Sequence, residues 1–83
     1  MDVLERIKLC GIVPVVVLDN PENACPTANA LLAGGMDVME ITYRTSAAAE
    51  AIKAVSQNCP DMLVGAGTVI TLEQCKQAVS LGA

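Results

Sequence analysis

Apolar residues along this chain follow two patterns. Short unbroken runs rich in Val and Ile alternate with longer stretches in which apolar positions recur every three or four residues. Val3, Leu4, Ile7 and Leu9, spaced among charges from Asp2 to Leu9, predict a short amphipathic helix that Gly11 ends. Residues 12–18, Ile-Val-Pro-Val-Val-Val-Leu, form a continuous apolar run, the pattern of a strand covered on both faces. Asp19, Asn20, Pro21 and Glu22 then make a helix start. Asn20 can cap, Pro21 suits the first helical position, and Glu22 meets the positive end of the helix dipole. That helix runs through Ala24, Ala28, Leu31 and Leu32 to a stop at Gly34 and Gly35, with Pro26 in its first turns. A second strand is predicted from Val38 to Thr45. Thr45 and Ser46 offer caps for an alanine-rich helix from Ala47 to about Asn58, with Pro60 just beyond. A third strand covers Met62 to Val69. Thr71, Leu72, Glu73 and Gln74 read as a capping box, and the last helix reaches Leu81 before Gly82.

The predicted order is one helix followed by three βα units, with short connections and no linker. Strands separated by single helices run parallel with right-handed crossovers. Such a series can begin a doubly wound sheet or a barrel, and periodicity alone does not separate the two.

The second strand separates them. Side chains alternate across a strand, so Glu40, Thr42 and Arg44 share one face while Met39, Ile41 and Tyr43 share the other. In an open sheet layered by helices, the polar face would lie under aliphatic side chains, and an unpaired carboxylate there costs several kcal/mol. In a barrel that face looks into the lumen, whose C-terminal end carries the chemistry. Glu40 and Arg44 stand four residues apart, roughly 13 Å along an extended strand, too far for a simple ion pair. On the third strand Gly65 and Gly67 remove bulk from one face, while Val64, Ala66 and Thr68 lie on the other. Thr68 falls at the C-terminal end, level with Arg44. A carboxylate, a guanidinium and a hydroxyl at one rim suit a small carboxylate substrate, held by Arg44 and Thr68 while Glu40 moves protons. Each is also open to a plainly structural reading, as a partner for a group on a neighbouring strand. Residues 65–68, Gly-Ala-Gly-Thr, lack the third glycine of a dinucleotide fingerprint and the Gly-Lys ending of a phosphate loop, so nucleotide binding is not indicated.

Composition narrows the picture further. With 83 residues the chain allows one small domain, and its 53 % hydrophobic content comes from Val, Ile, Leu, Ala and Met, with Tyr43 the sole aromatic. So much aliphatic surface on so short a chain suggests a piece of something larger. The net charge of −4, spread singly, gives no footprint for nucleic acid or an anionic membrane, and no apolar run is long enough to span one. The acidic start lacks the basic region of an export signal. Cys10, Cys25, Cys59 and Cys75 form no CxxC pair and there is no histidine, so the cysteines read as free thiols of a reducing cytoplasm and no metal site is expected. Met36, Met39 and Met62 read as core filler.

In residues 12–15 (Ile-Val-Pro-Val), in Ala33, Gly34 and Gly35 leading into residues 39–45 (Met-Glu-Ile-Thr-Tyr-Arg-Thr), and in residues 64–69 (Val-Gly-Ala-Gly-Thr-Val), the chain resembles the 2-keto-3-deoxy-6-phosphogluconate/4-hydroxy-2-oxoglutarate aldolases. The resemblance implies an α/β fold, the N-terminal portion of a (β/α)8 TIM barrel, with residues 1–83 as a single partial domain. It implies a cytoplasmic homotrimer in the full-length form. The implied reaction reversibly splits a 2-keto acid into pyruvate and an aldehyde through a Schiff base on lysine, without metal or cofactor. It assigns Glu40 as general acid/base, and Arg44 and Thr68 to the pyruvate carboxylate and its surroundings. The Schiff-base lysine is expected on a later strand and is absent here, since Lys8, Lys53 and Lys76 all fall in helical segments. The parent chain is therefore expected to be the aldolase. The alternative for the 83 residues by themselves is a catalytically inert, self-associating half-barrel.

Overall fold

The computed structural model describes residues 2–83. The elements are α1 (Val3–Cys10), β1 (Val15–Val16), a 3₁₀ turn (Pro21–Asn23) leading into α2 (Ala24–Ala33), β2 (Val38–Thr42), α3 (Ala48–Asn58), β3 (Leu63–Gly67) and α4 (Leu72–Ser80). The three strands form one parallel sheet in the order β1-β2-β3, so each strand pairs with the next in sequence. One helix and three βα units, as the periodicity predicts, make up the chain.

Register sorts the side chains. Val16, Ile41 and Ala66 stand side by side, as do Met39 and Val64, and this face packs beneath the helices. Met39, Ile41, Ile52 and Val55 are fully buried there with Ala24, Ala28, Ala48 and Ala51. The small alanines let α2 pack closely on α3, and α3 on the sheet. The other face carries Val15, Glu40 and Gly65 in one row, Val38 and Leu63 in the row below, and Thr42 and Gly67 in the row above. Val15 and Val17 stay more than half exposed, so this second face is open along β1, whereas Val38 and Thr42 on β2 are buried and Val3 and Ile7 of α1 lie near Val38 at its lower end.

The helix ends follow the capping chemistry of the sequence, with local departures. Asp2 Oδ1 accepts from Glu5 N at 2.8 Å and Thr71 Oγ1 from Gln74 N at 3.1 Å. Gln74 Oε1 reaches back to Ile70 N at 2.9 Å, one residue before the cap, in place of a reciprocal box. Asn20 Oδ1 accepts from Glu22 N, but the turn it caps is 3₁₀, and regular α-helix begins only at Ala24. Pro26, third in α2, has no N–H to donate back at this point. Gly35, at φ +88°, closes α2 in the left-handed conformation that glycine adopts without steric cost. The strands are shorter than the apolar runs: β2 stops at Thr42, and β1 pairs only through Val15 and Val16. Thr45 does not cap α3 directly. Its hydroxyl donates to Leu18 O and accepts from Ala47 N, tying the turn after β2 to the end of β1.

At the opposite end of the sheet, Arg6 of α1 fastens the N-terminal sides of β2 and β3. Its Nη2 donates to Asp37 O at 3.2 Å and Asp61 O at 2.9 Å, and pairs with the Asp37 carboxylate at 3.4 Å. Cys10, Cys25, Cys59 and Cys75 carry free thiols. Burial, and secondarily the neighbouring Cys25, pushes the Cys59 thiol up from its ordinary value. No helix among the described residues is long and apolar enough to cross a membrane.

Candidate active site at the C-terminal rim of the sheet

Glu40 sits in the middle of β2 on the open face, flanked in register by Val15 and Gly65. It is half-buried, and its neighbours in sequence, Met39 and Ile41, point the other way into the helix-packed core. The polar side of β2 therefore looks away from α2 and α3. The carboxylate leans toward the C-terminal rim and lies over Gly67. A Cβ built at Gly67 would come within 2.9 Å of Glu40 Cγ and closer still to the carboxyl group. Gly67 is thus the space in which the acid stands.

Arg44 follows β2, exposed at the rim. Its Nε points to Thr68 Oγ1 at 3.5 Å, the outer limit of hydrogen bonding. Strict alternation would put Thr68 with Val64 and Ala66 on the helix side. Instead Thr68 adopts φ +55°, a left-handed conformation that is strained for a β-branched residue. That twist carries its hydroxyl out of the strand's parity to meet Arg44. The structure thus brings Arg44 and Thr68 together, with Glu40 lower on the same face. Among the described residues no ion pair joins Glu40 to Arg44, in keeping with their spacing.

Tyr43 faces the helices, its hydroxyl donating to Gln77 Oε1 of α4 at 3.1 Å, and burial pushes its pKa upward. Lys8, Lys53 and Lys76 are exposed on α1, α3 and α4. Two features of the rim carry no assigned role in the sequence reading. Gly67 appears there only as missing bulk, although its register opposite Thr42 marks it as the lateral neighbour of the polar face. The other is Thr42 itself, which is 1 % exposed. Its Oγ1 finds no hydrogen-bond partner among the described residues.

The model of the family described as KDPG and KHG aldolase matches residues 3–83. The chain belongs to this aldolase family. Among its relatives, the 2-dehydro-3-deoxy-phosphogluconate aldolase of Treponema pallidum is 51 % identical over 82 residues, which are 99 % of this chain and 38 % of that protein. The KHG/KDPG aldolase of Escherichia coli K12 is 44 % identical over 72 residues, 87 % of this chain and 34 % of its own length. The chain therefore spans a little over a third of the aldolases it matches. Among solved structures, the KDPG aldolase of Zymomonas mobilis ZM4 with 3-phosphoglycerate superposes with a TM-score of 0.88 at 40 % identity. That match covers 99 % of this chain and 39 % of the other. The Legionella pneumophila KDPG aldolase, with pyruvate captured at low pH as a covalent carbinolamine, superposes with a TM-score of 0.81 at 46 % identity, over 86 % and 34 % of the two chains. The helix and three parallel βα units correspond to the N-terminal part of the TIM-barrel-like fold of these aldolases.

Proposed function

We propose that these residues supply the acid/base and the carboxylate clamp of a Schiff-base aldolase. The parent reaction reversibly cleaves a 2-keto-3-deoxy sugar-acid phosphate or 4-hydroxy-2-oxoglutarate to pyruvate and an aldehyde. The observation that carries this reading is the Glu40 carboxylate, laid over Gly67 on the face of the sheet turned away from α2 and α3, below Arg44 and Thr68. Family membership supports the reaction class.

The chemistry follows from the geometry. Arg44 and Thr68, meeting at the rim, hold the carboxylate of a 2-keto acid by a charge-assisted hydrogen bond and a hydroxyl donor. The ketone carbon then points down toward Glu40. An amine adding to that carbon gives a carbinolamine. The protonated Glu40 delivers its proton to the carbinolamine hydroxyl as the nitrogen lone pair forms the C=N bond. Water leaves, with an iminium and a carboxylate as the other products. The iminium then accepts the electron pair of the breaking C–C bond. The chain's own lysines lie exposed on helices, so the amine comes from outside these 83 residues. A cytoplasmic homotrimer accompanies this reading. Borohydride added to the full-length protein with pyruvate is expected to reduce the iminium and fix pyruvate covalently to one lysine, read by intact mass. An unlabelled protein would sink the reaction class.

A second reading concerns the 83 residues by themselves and rests on the open face. Val15 and Val17 are 62 % and 53 % exposed, and β1 and β3 are both sheet edges. Apolar faces bordered by unpaired strand edges are templates for association. The isolated chain is expected to elute from size-exclusion chromatography as an oligomer without aldolase activity. A compact, stable monomer would overturn this.

A further inference from the structure

Arg44 meets the rim from a turn, so its aim depends on what holds that turn in place. The residue before it is tied to β3, where Tyr43 N donates to Gly67 O at 2.8 Å. The residue after it is tied to the segment leaving β1, because the Thr45 hydroxyl donates to Leu18 O and accepts from Ala47 N at 3.3 Å. Leu18 is a core residue, 9 % exposed, so this acceptor belongs to a fixed part of the molecule. Among the described residues, no other hydrogen bond joins residues 43–47 to the segment that follows β1. The Arg44 side chain itself is exposed, and its one hydrogen bond among the described residues is the 3.5 Å approach of Nε to Thr68 Oγ1. So lightly held a guanidinium is aimed by its backbone, which Tyr43 and Thr45 bracket.

A shift of the backbone at Thr45 carries to Arg44 directly, since the two share a peptide bond. A guanidinium holds a carboxylate through paired, directional N–H donors, and that geometry tolerates little displacement. Resting on the aldolase reading above, we propose that Thr45 is a positioning residue for the carboxylate clamp. Its hydroxyl bond to Leu18 O sets the turn from which Arg44 receives the carboxylate of a 2-keto acid. The single O–H of Thr45 is committed to Leu18 O, so the residue acts through Arg44 and not by touching substrate. Glu40 lies within β2, where pairing with β1 and β3 holds it without help from the turn. Binding and chemistry therefore separate: loss of the Thr45 hydroxyl weakens capture of the carboxylate and leaves proton transfer in place.

The test uses the full-length protein and three variants at this position. Thr45→Val keeps the shape and removes the hydroxyl, Thr45→Ala removes it without the branched bulk, and Thr45→Ser retains it. Both hydroxyl-free variants are expected to raise KM for aldol cleavage, and the pyruvate concentration that half-saturates borohydride trapping, by about tenfold, the worth of one lost hydrogen bond. Their kcat is expected to stay within about threefold of the wild type, the signature of weakened binding with the chemical step intact. Thr45→Ser is expected to stay within about twofold in both. Removing the donor to Leu18 O also lowers the melting temperature, as loss of any structural hydroxyl would. KM and half-saturation do not depend on how much of the protein is folded, so that loss does not imitate the effect. The decisive readout is coupling to Arg44. In an Arg44→Gln background Thr45→Val is expected to change half-saturation by less than about twofold, because the group it positions is gone. An unchanged KM in both hydroxyl-free variants, an equal rise in Thr45→Ser, the same fold-rise in the Arg44→Gln background, or a fall in kcat alone would overturn the role of Thr45 in a protein that still traps pyruvate. A wild-type protein that traps no pyruvate would overturn the aldolase reading, and this proposal with it.

Discussion

Glu40→Gln in the full-length protein is expected to lower kcat for aldol cleavage by about 10²- to 10⁴-fold, the usual worth of a positioned general acid/base. The amide keeps the size and hydrogen-bonding reach of the carboxyl but can neither take nor release a proton at working pH. In the proposed mechanism, carbinolamine dehydration and the later protonation steps both depend on that proton. Glu40 makes no ion pair among the described residues and stands half-buried on the open face, so the substitution leaves the core intact. Folding, read by thermal melting, is therefore expected to change little. Coupled assay of pyruvate release checks the rate, and an unchanged kcat would remove Glu40 from the mechanism.

Gly67→Ala is expected to have nearly as large an effect on activity and a small one on stability. The added Cβ would meet Glu40 at its Cγ, Cδ and carboxyl oxygen. These atoms belong to a flexible side chain on an open face, so the chain relieves the overlap by swinging Glu40 aside. Displacement of a reacting group by about 1 Å costs on the order of 10²-fold in rate. The expected result is a melting temperature close to the wild type with kcat reduced about a hundredfold. Gly65→Ala is the control, because a Cβ there meets only Met39 O, at 3.9 Å. Equal activity in Gly67→Ala and the wild type would mean that Glu40 works from another position.

Element order and the facing of β2 were legible because their signals are periodic. Alternation of Met39, Ile41 and Tyr43 against Glu40, Thr42 and Arg44 decides which side chains pack under helices, and burial follows it. Element ends were less legible. Apolar character extends past the last paired residue of each strand, whereas hydrogen bonding depends on the neighbouring strand, so residues 12–18 supply only a two-residue β1. The helix after Asn20 begins with a 3₁₀ turn that its cap and proline do not distinguish from an α-helical one. Thr68 was legible as a rim residue by its position, but its left-handed backbone was not, since a β-branched side chain argues against that conformation. Thr42 and Gly67 need the register between β2 and β3, information that lies in the pairing of two strands and in neither one alone.

The strictly sequential pairing of β1 with β2 and β2 with β3 has a consequence for biosynthesis. Each strand pairs with its neighbour across a single crossover of 25 residues (Val15 with Glu40, Glu40 with Gly65), so each closure needs only the unit just made and no later one. The sheet would thus assemble one stave at a time in chain order, with Glu40 seated between its neighbours as soon as β3 has paired alongside β2.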